Sequence, residues 1–132
     1  MASTFKFELV SPEHMLMSAN ADAVVVPGAD GDFTVLSGHA PVIAMLRPGV
    51  IDIAAEGKKS RMFVKSGFAE VDPERLTILA QTAYNVEEMS QQFIATELAA
   101  AEESSASAKD DDTKAAAETL IGELKRLATR PG

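Results

Sequence analysis

Asp32, Ser37 and His39 fall within eight consecutive residues, and an acid, a hydroxyl and an imidazole are the residue types of a hydrolytic triad. Nucleophilic catalysis needs the serine activated by a base that a third group orients, usually on a sharp strand-to-helix turn. Here all three sit in a loop-rich stretch with no helix behind the serine, so the spacing does not support a hydrolase. His14 and His39 are the two histidines, and there are no cysteines. Without helical H-x-x-x-H spacing this falls short of a metal-ligand set. The glycines between positions 28 and 38 lack the strand, Gly-rich loop and helix of a phosphate cradle. The stretch Val24–Gly49 instead holds four of the eight glycines and three of the six prolines. It spends its side chains on turn geometry, which suits a displayed surface rather than a reaction centre.

The elements that position this stretch follow from periodicity. Phe5, Phe7 and Leu9 alternate with Lys6 and Glu8, the signature of a strand with one wet face. Further strands are expected at His14–Ser18, Asp22–Val26, Phe33–Leu36, Val42–Leu46, around Val50, Ile51 and Ile53, and at Arg61–Lys65, Gly67–Val71 and Leu76–Ala80. Turn signals separate them: Pro27 to Asp32 with its Asp-Gly pair, Ser37 to Pro41, Arg47-Pro48-Gly49, Glu56-Gly57-Lys58 and Asp72-Pro73-Glu74. Short strands with turns every 8–12 residues point to an all-β sandwich or barrel.

After Tyr84 the period changes. Asn85 and Glu88 have the spacing of a capping box, and Val86, Met89, Phe93, Ile94, Leu98 and Ala100 recur at helical steps over about residues 86–103. Ser104 to Asp111 is expected to be a linker. Asp112 is expected to cap a second helix whose apolar face carries Leu120, Ile121, Leu124, Leu127 and Ala128. Asp110 to Asp112 lie at the positive end of that helix, and Lys125, Arg126 and Arg130 at its negative end, both favourable for the macrodipole. Two amphipathic helices with a short link form an αα-hairpin.

Composition narrows the function. The chain has 132 residues, 46% of them hydrophobic, enough for one core and a small appendage. No run approaches the roughly 18 apolar residues of a membrane span. The N-terminus alternates instead of forming the apolar block of a signal peptide, so the chain is expected to stay where it is made. The formal charge is −8 and no basic stripe interleaves with aromatics, which argues against nucleic-acid binding. The absence of cysteine removes disulfides and thiolate chemistry. Charge is uneven: residues 1–84 hold 10 acids and 7 bases, and residues 85–132 hold 10 acids and 5 bases. That shift coincides with the change of period. These features leave two classes open, a subunit of a larger assembly and an autonomous β-sandwich binding or adaptor module.

The motifs "PGADGDFTVLSGHAP" (27–41), "LRPG" (46–49), "FVKSGFAEV" (63–71) and "LTILAQTA" (76–83), in this order and spacing, resemble the epsilon subunit of bacterial F-type ATP synthase, the counterpart of the mitochondrial delta subunit. The resemblance is strong over residues 5–84 and loose after 85. It implies an α+β chain: an N-terminal all-β flattened sandwich of about ten strands in residues 1–84, then a regulatory helical hairpin in 85–132. It implies a non-catalytic rotor subunit of the central stalk, bound to gamma and resting on the c-subunit ring, peripheral on the cytoplasmic side of the bacterial inner membrane, without lipid insertion. Carried over by motif, Gly31, Asp32, Gly38, His39, Ala40 and Pro41 would form the ring interface. Lys125, Arg126 and Arg130 would be the regulatory contact with the catalytic beta subunits. The chain departs from ATP-binding members, whose I/L-D-x-x-R-A motif is here Val86-Glu87-Glu88-Met89-Ser90-Gln91. No cofactor, and no ATP binding, is therefore expected.

Overall fold

The computed structural model describes residues 3–129, and the chain divides into two compact units between Asn85 and Val86. Among the described residues the first unit holds nine strands: β1 (Phe5–Val10), β2 (Met15–Gly28), β3 (Gly31–Val35), β4 (Val42–Met45), β5 (Gly49–Ala55), β6 (Lys58–Val64), β7 (Gly67–Asp72), β8 (Arg75–Ala80) and β9 (Ala83–Asn85). The pairing path runs β4-β7-β8-β1-β2-β5-β6-β9, with β3 also on β2. Its ends do not pair with each other, so the arrangement is a sandwich and not a barrel.

Alternation explains the core. On β1, Phe5, Phe7 and Leu9 are buried. Cross-strand pairing lines them up in rows: Val42–Val71–Leu76–Phe7–Ala19, and Ala44–Ala69–Ile78–Leu9–Met17. Val24, Val26, Val35, Ile51 and Ile53 extend the same cluster. Directly opposed side chains on one face are the unit of sheet stabilisation. The β1–β8 pair is parallel, the remainder antiparallel.

β2 corrects the expectation of two separate strands. Met15–Ala21 pairs with β1, while Ala21–Val25 pairs with β5 and Val24–Gly28 with β3. The register slips between Ala21 and Ala23, so one extra residue, Asp22, bends a single continuous strand from one set of neighbours to the other. The polar positions Ser18 and Asn20 face outward and are exposed, which is why they do not interrupt it. β9 was not legible, since three residues carry no period. It exists because Ala83, Tyr84 and Asn85 pair with Val64, Phe63 and Met62. The Glu56-Gly57 tip is as expected: both residues have positive φ (53° and 78°), the conformation of a two-residue type I′ hairpin turn.

The second unit starts with a 3₁₀ turn (Val86–Glu88), then α1 (Gln91–Ser107) and α2 (Asp111–Ala128). Asn85 does not cap α1, because its backbone is committed to β9. Ser90 does: its hydroxyl accepts from the Phe93 N–H at 3.0 Å. The serines expected to form a linker are helical, with the Ser107 hydroxyl donating to the Glu103 carbonyl at 2.9 Å, the back-bonding that lets serine sit in a last turn. The link is therefore only 108–110. Asp110, not Asp112, caps α2: its carboxylate accepts from the Thr113 N–H (2.7 Å) and hydroxyl (3.0 Å). Those bonds, the backbone one foremost, hold its pKa below the ordinary carboxylate range. The two helices pack on each other. Ile94 and Ala101 of α1 and Ala117, Leu124 and Leu127 of α2 are buried, with Ala101 rather than the expected Ala100 on the stripe. Among the described residues no helix is long and apolar enough to cross a membrane.

Candidate functional site

The β2–β3 hairpin and the β3–β4 loop carry the expected site residues. Gly28 pairs with Gly31, so the hairpin turn is Ala29-Asp30 and Gly31 and Asp32 open β3. The hairpin base is clamped by the Arg47-Pro48-Gly49 segment. Ala29 N–H donates to the Met45 carbonyl (2.8 Å) and Arg47 N–H to the Pro27 carbonyl (3.0 Å). Gly49 is required there, because a Cβ would lie 2.8 Å from the Pro27 Cβ. Asp32 Oδ1 accepts a hydrogen bond from Arg47 Nη2. Arg47 was read from the sequence as a turn residue only. Its part became visible once pairing brought 27–32 beside 45–49.

In the second loop, His39 N–H donates to the Leu36 carbonyl (3.1 Å), closing a four-residue turn with Gly38 at its third position and φ +84°. That is the type II position that demands glycine. Gly38 N–H donates to the Pro73 carbonyl (2.9 Å), tying the loop to the β7–β8 turn. His39 Nδ1 donates to the Ala40 carbonyl at 2.7 Å. The His39 and Phe33 rings lie 6.3 Å apart, tilted by 42°, so this loop folds back against β3 through that contact. Ala40 and Pro41 are exposed.

The geometry is not that of a triad. His39 turns Nδ1 to a backbone carbonyl, and the Asp32 carboxylate is engaged by Arg47, so no acid orients the imidazole. Among the described residues no three His, Cys, Asp or Glu side chains are grouped to hold a metal ion. What the loops offer is a rigid, polar surface. On α2, Lys125 and Arg126 are exposed in the last turn. Arg126 pairs with the buried Glu123 at 3.2 Å. Arg130 lies outside the described residues.

A second surface was not anticipated. Met45, Phe68, Leu79, Val10 and Met15 are successive cross-strand partners on β4, β7, β8, β1 and β2, on the face opposite the core rows. Met45 is 65% exposed, Met15 54% and Phe68 38%. The next row on that face, Ile43–Glu70–Thr77–Glu8–Ser18, is mostly polar, and Arg75 bridges to Glu8 at 3.1 Å. The outer face thus grades from apolar to charged. β4, with Ile43 72% exposed, lies at an end of the sheet path. The apolar run 42–46 had announced a strand but not which side of it would be wet.

Residues 4–86 match the family model described as the ATP synthase delta/epsilon chain beta-sandwich domain. The chain belongs to the ATP synthase epsilon chain family. It is 50% identical over 103 residues to the ATP synthase epsilon chain of Paramagnetospirillum magneticum, covering 77% of each chain. Against the epsilon chain of Rhodospirillum rubrum it is 47% identical over 103 residues, again 77% of each. Its fold is also that of a chain in the cryo-EM structure of Euglena gracilis mitochondrial ATP synthase (OSCP/F1/c-ring), with TM-score 0.75, 23% identity, and 95% of this chain and 79% of that one covered. A chain of the Tetrahymena thermophila mitochondrial ATP synthase central stalk and c-ring gives TM-score 0.66 at 12% identity, with 95% and 96% covered. As an epsilon chain it is a non-catalytic subunit of ATP synthase.

Proposed function

We propose that this epsilon chain is a rotor element of proton-translocating ATP synthase, with its sandwich docked on gamma and its two-loop surface standing on the c-subunit ring. The observation that carries the docking is the five-strand apolar row from Met45 to Met15. A chain of charge −8 gains nothing in water from a contiguous apolar band across a sheet, and such bands mark surfaces that a partner covers. An apolar edge strand such as β4 also invites pairing unless it is covered. The polar loops bearing Gly31, Asp32, Gly38, His39, Ala40 and Pro41 are braced by backbone bonds to 45–47 and to Pro73, as a load-bearing contact with the ring's polar loops requires. Torque then passes through a stiff, densely packed sandwich.

The chain itself holds no ATP in this reading: the 86–91 stretch has neither the arginine nor the alanine of the nucleotide-binding motif. Regulation of hydrolysis by the helices is weak. α1 carries no basic residue with which to approach the acidic segment of the beta subunits, and Arg126 is already paired with Glu123, which among the described last-turn bases leaves Lys125 for that contact. Bacterial relatives support a peripheral position on the cytoplasmic face of the inner membrane.

Photocrosslinking from single cysteines in intact membranes tests both contacts. A probe at Met45→Cys is expected to capture gamma, and one at His39→Cys the c subunit. Capture of neither partner, with the chain running as a monodisperse monomer, would return it to the class of autonomous binding modules.

A further inference from the structure

We propose that Arg47 is a positioning residue for the ring-facing hairpin, with Asp32 serving as its anchor. The inference rests on the reading of that hairpin as ring-facing. The backbone bonds from Ala29 to Met45 and from Arg47 to Pro27 engage only the β2 arm of the hairpin and its first turn residue. Asp30, Gly31 and Asp32, which complete the turn and open β3, are all exposed, so no core packing fixes their direction. The bond from Arg47 Nη2 to Asp32 Oδ1 reaches that β3 arm. Its donor is well braced: Arg47 Nη1 donates to the Pro48 carbonyl at 3.3 Å, and the segment is seated on Pro27 by Gly49. The arginine is also the less exposed partner, 30% against 55%, as expected of a fixed point holding a displayed acid. A planar guanidinium reaches both acceptors at once, which a lysine ammonium does with less geometric constraint. Pairing neutralises one of the two hairpin acids, so Asp30, exposed at the turn, is the carboxylate that the tip displays without a partner among the described residues.

The test uses the full-length chain and the reassembled complex. Amide exchange at Ala29 and Arg47 is expected to quicken about two- to fivefold in Arg47→Gln, the equivalent of one half-exposed ion pair. Asp32→Asn should do the same, the double variant no more than either single one, and Arg47→Lys less. Amides of the core residues Phe7 and Ile78 should keep their rates, which separates a local tether from general destabilisation. In membranes, protons pumped per ATP hydrolysed should fall in Arg47→Gln and recover in Arg47→Lys. Unchanged exchange in Arg47→Gln, or additive effects in the double variant, would overturn the tether. Faster exchange with undiminished pumping in every variant would keep the tether and overturn the ring-facing role.

Discussion

The two units of the chain are built by opposite strategies. The unit ending at Asn85 is held by pairings between distant residues, as where Phe7 meets Leu76 and Glu8 meets Arg75, 67 positions apart. The centres of its inner rows are closed to solvent, with Phe7, Leu9, Leu76 and Ile78 all at 0% exposure. The unit from Val86 onward is held by local bonds within two helices of 17 and 18 residues, joined by three residues and sharing a narrow stripe of buried side chains. Helices of that length are marginal in water without packing. Long-range pairing makes the first unit a rigid body suited to bearing load. Local bonding makes the second one responsive, able to fray or open at low cost.

The contrast can be broken at its strongest point first. Phe7→Ala in the central strand is expected to cost about 3–5 kcal/mol, read as a lowered urea midpoint for the whole sandwich. A loss confined to β1 would mean the strands are not one cooperative unit. Leu124→Ala, fully buried on α2, should cost about 2 kcal/mol or more. It should appear as lost helical dichroism, with the exchange protection of Phe7 and Ile78 retained. A chain truncated after Ser90 should likewise keep that protection and still support proton pumping. Failure to assemble would give the helices a structural part.

Gly38→Val sharpens the comparison within the rigid unit. A Cβ there meets nothing within 4 Å, so the expected cost of about 1–3 kcal/mol comes from holding a β-branched residue at positive φ. Because the loop will shift rather than bear the strain, the expected signature is uncoupling: hydrolysis continues while pumping falls. Intact pumping would count against Gly38 as a shaping residue.

The smallest effect is at the Asp110 cap. Its folded-state pKa is depressed by the Thr113 bonds, so the cap contributes fully above the unfolded carboxylate's pKa and is lost as pH falls through the lower folded value. Helical signal from residues 111–115 should therefore decline on acidification in the parent chain, whereas Asp110→Asn should remove this group's share of the pH dependence. An unchanged acid profile in that variant would show that other carboxylates govern the melting of α2.

How much was legible follows the range of the interactions involved. Phe5-x-Phe7-x-Leu9, the Glu56-Gly57 tip and the helical steps after Tyr84 are patterns of neighbours, and each predicted its element. Where the deciding partner is remote, the pattern misled. Asn85 looked like a cap until Met62 claimed its backbone for β9. The serines at 104–107 misled for a local reason, since a linker composition is also tolerated in a last helical turn where Ser107 bonds back to Glu103.

By itself, the sequence determined the element types outside β9 and residues 104–107, the two-unit division near residue 85, the lack of thiol chemistry, and the family through its PG…GHAP, LRPG and GF-x-EV motifs. Tertiary structure alone decided that β2 is one bent strand and that Arg47 holds Asp32. It also decided that Met45, Phe68, Leu79, Val10 and Met15 form a single apolar row. Period and turn chemistry act over a few residues and are written in order along the chain. A cross-strand row depends on register, which exists only once residues many positions apart have paired.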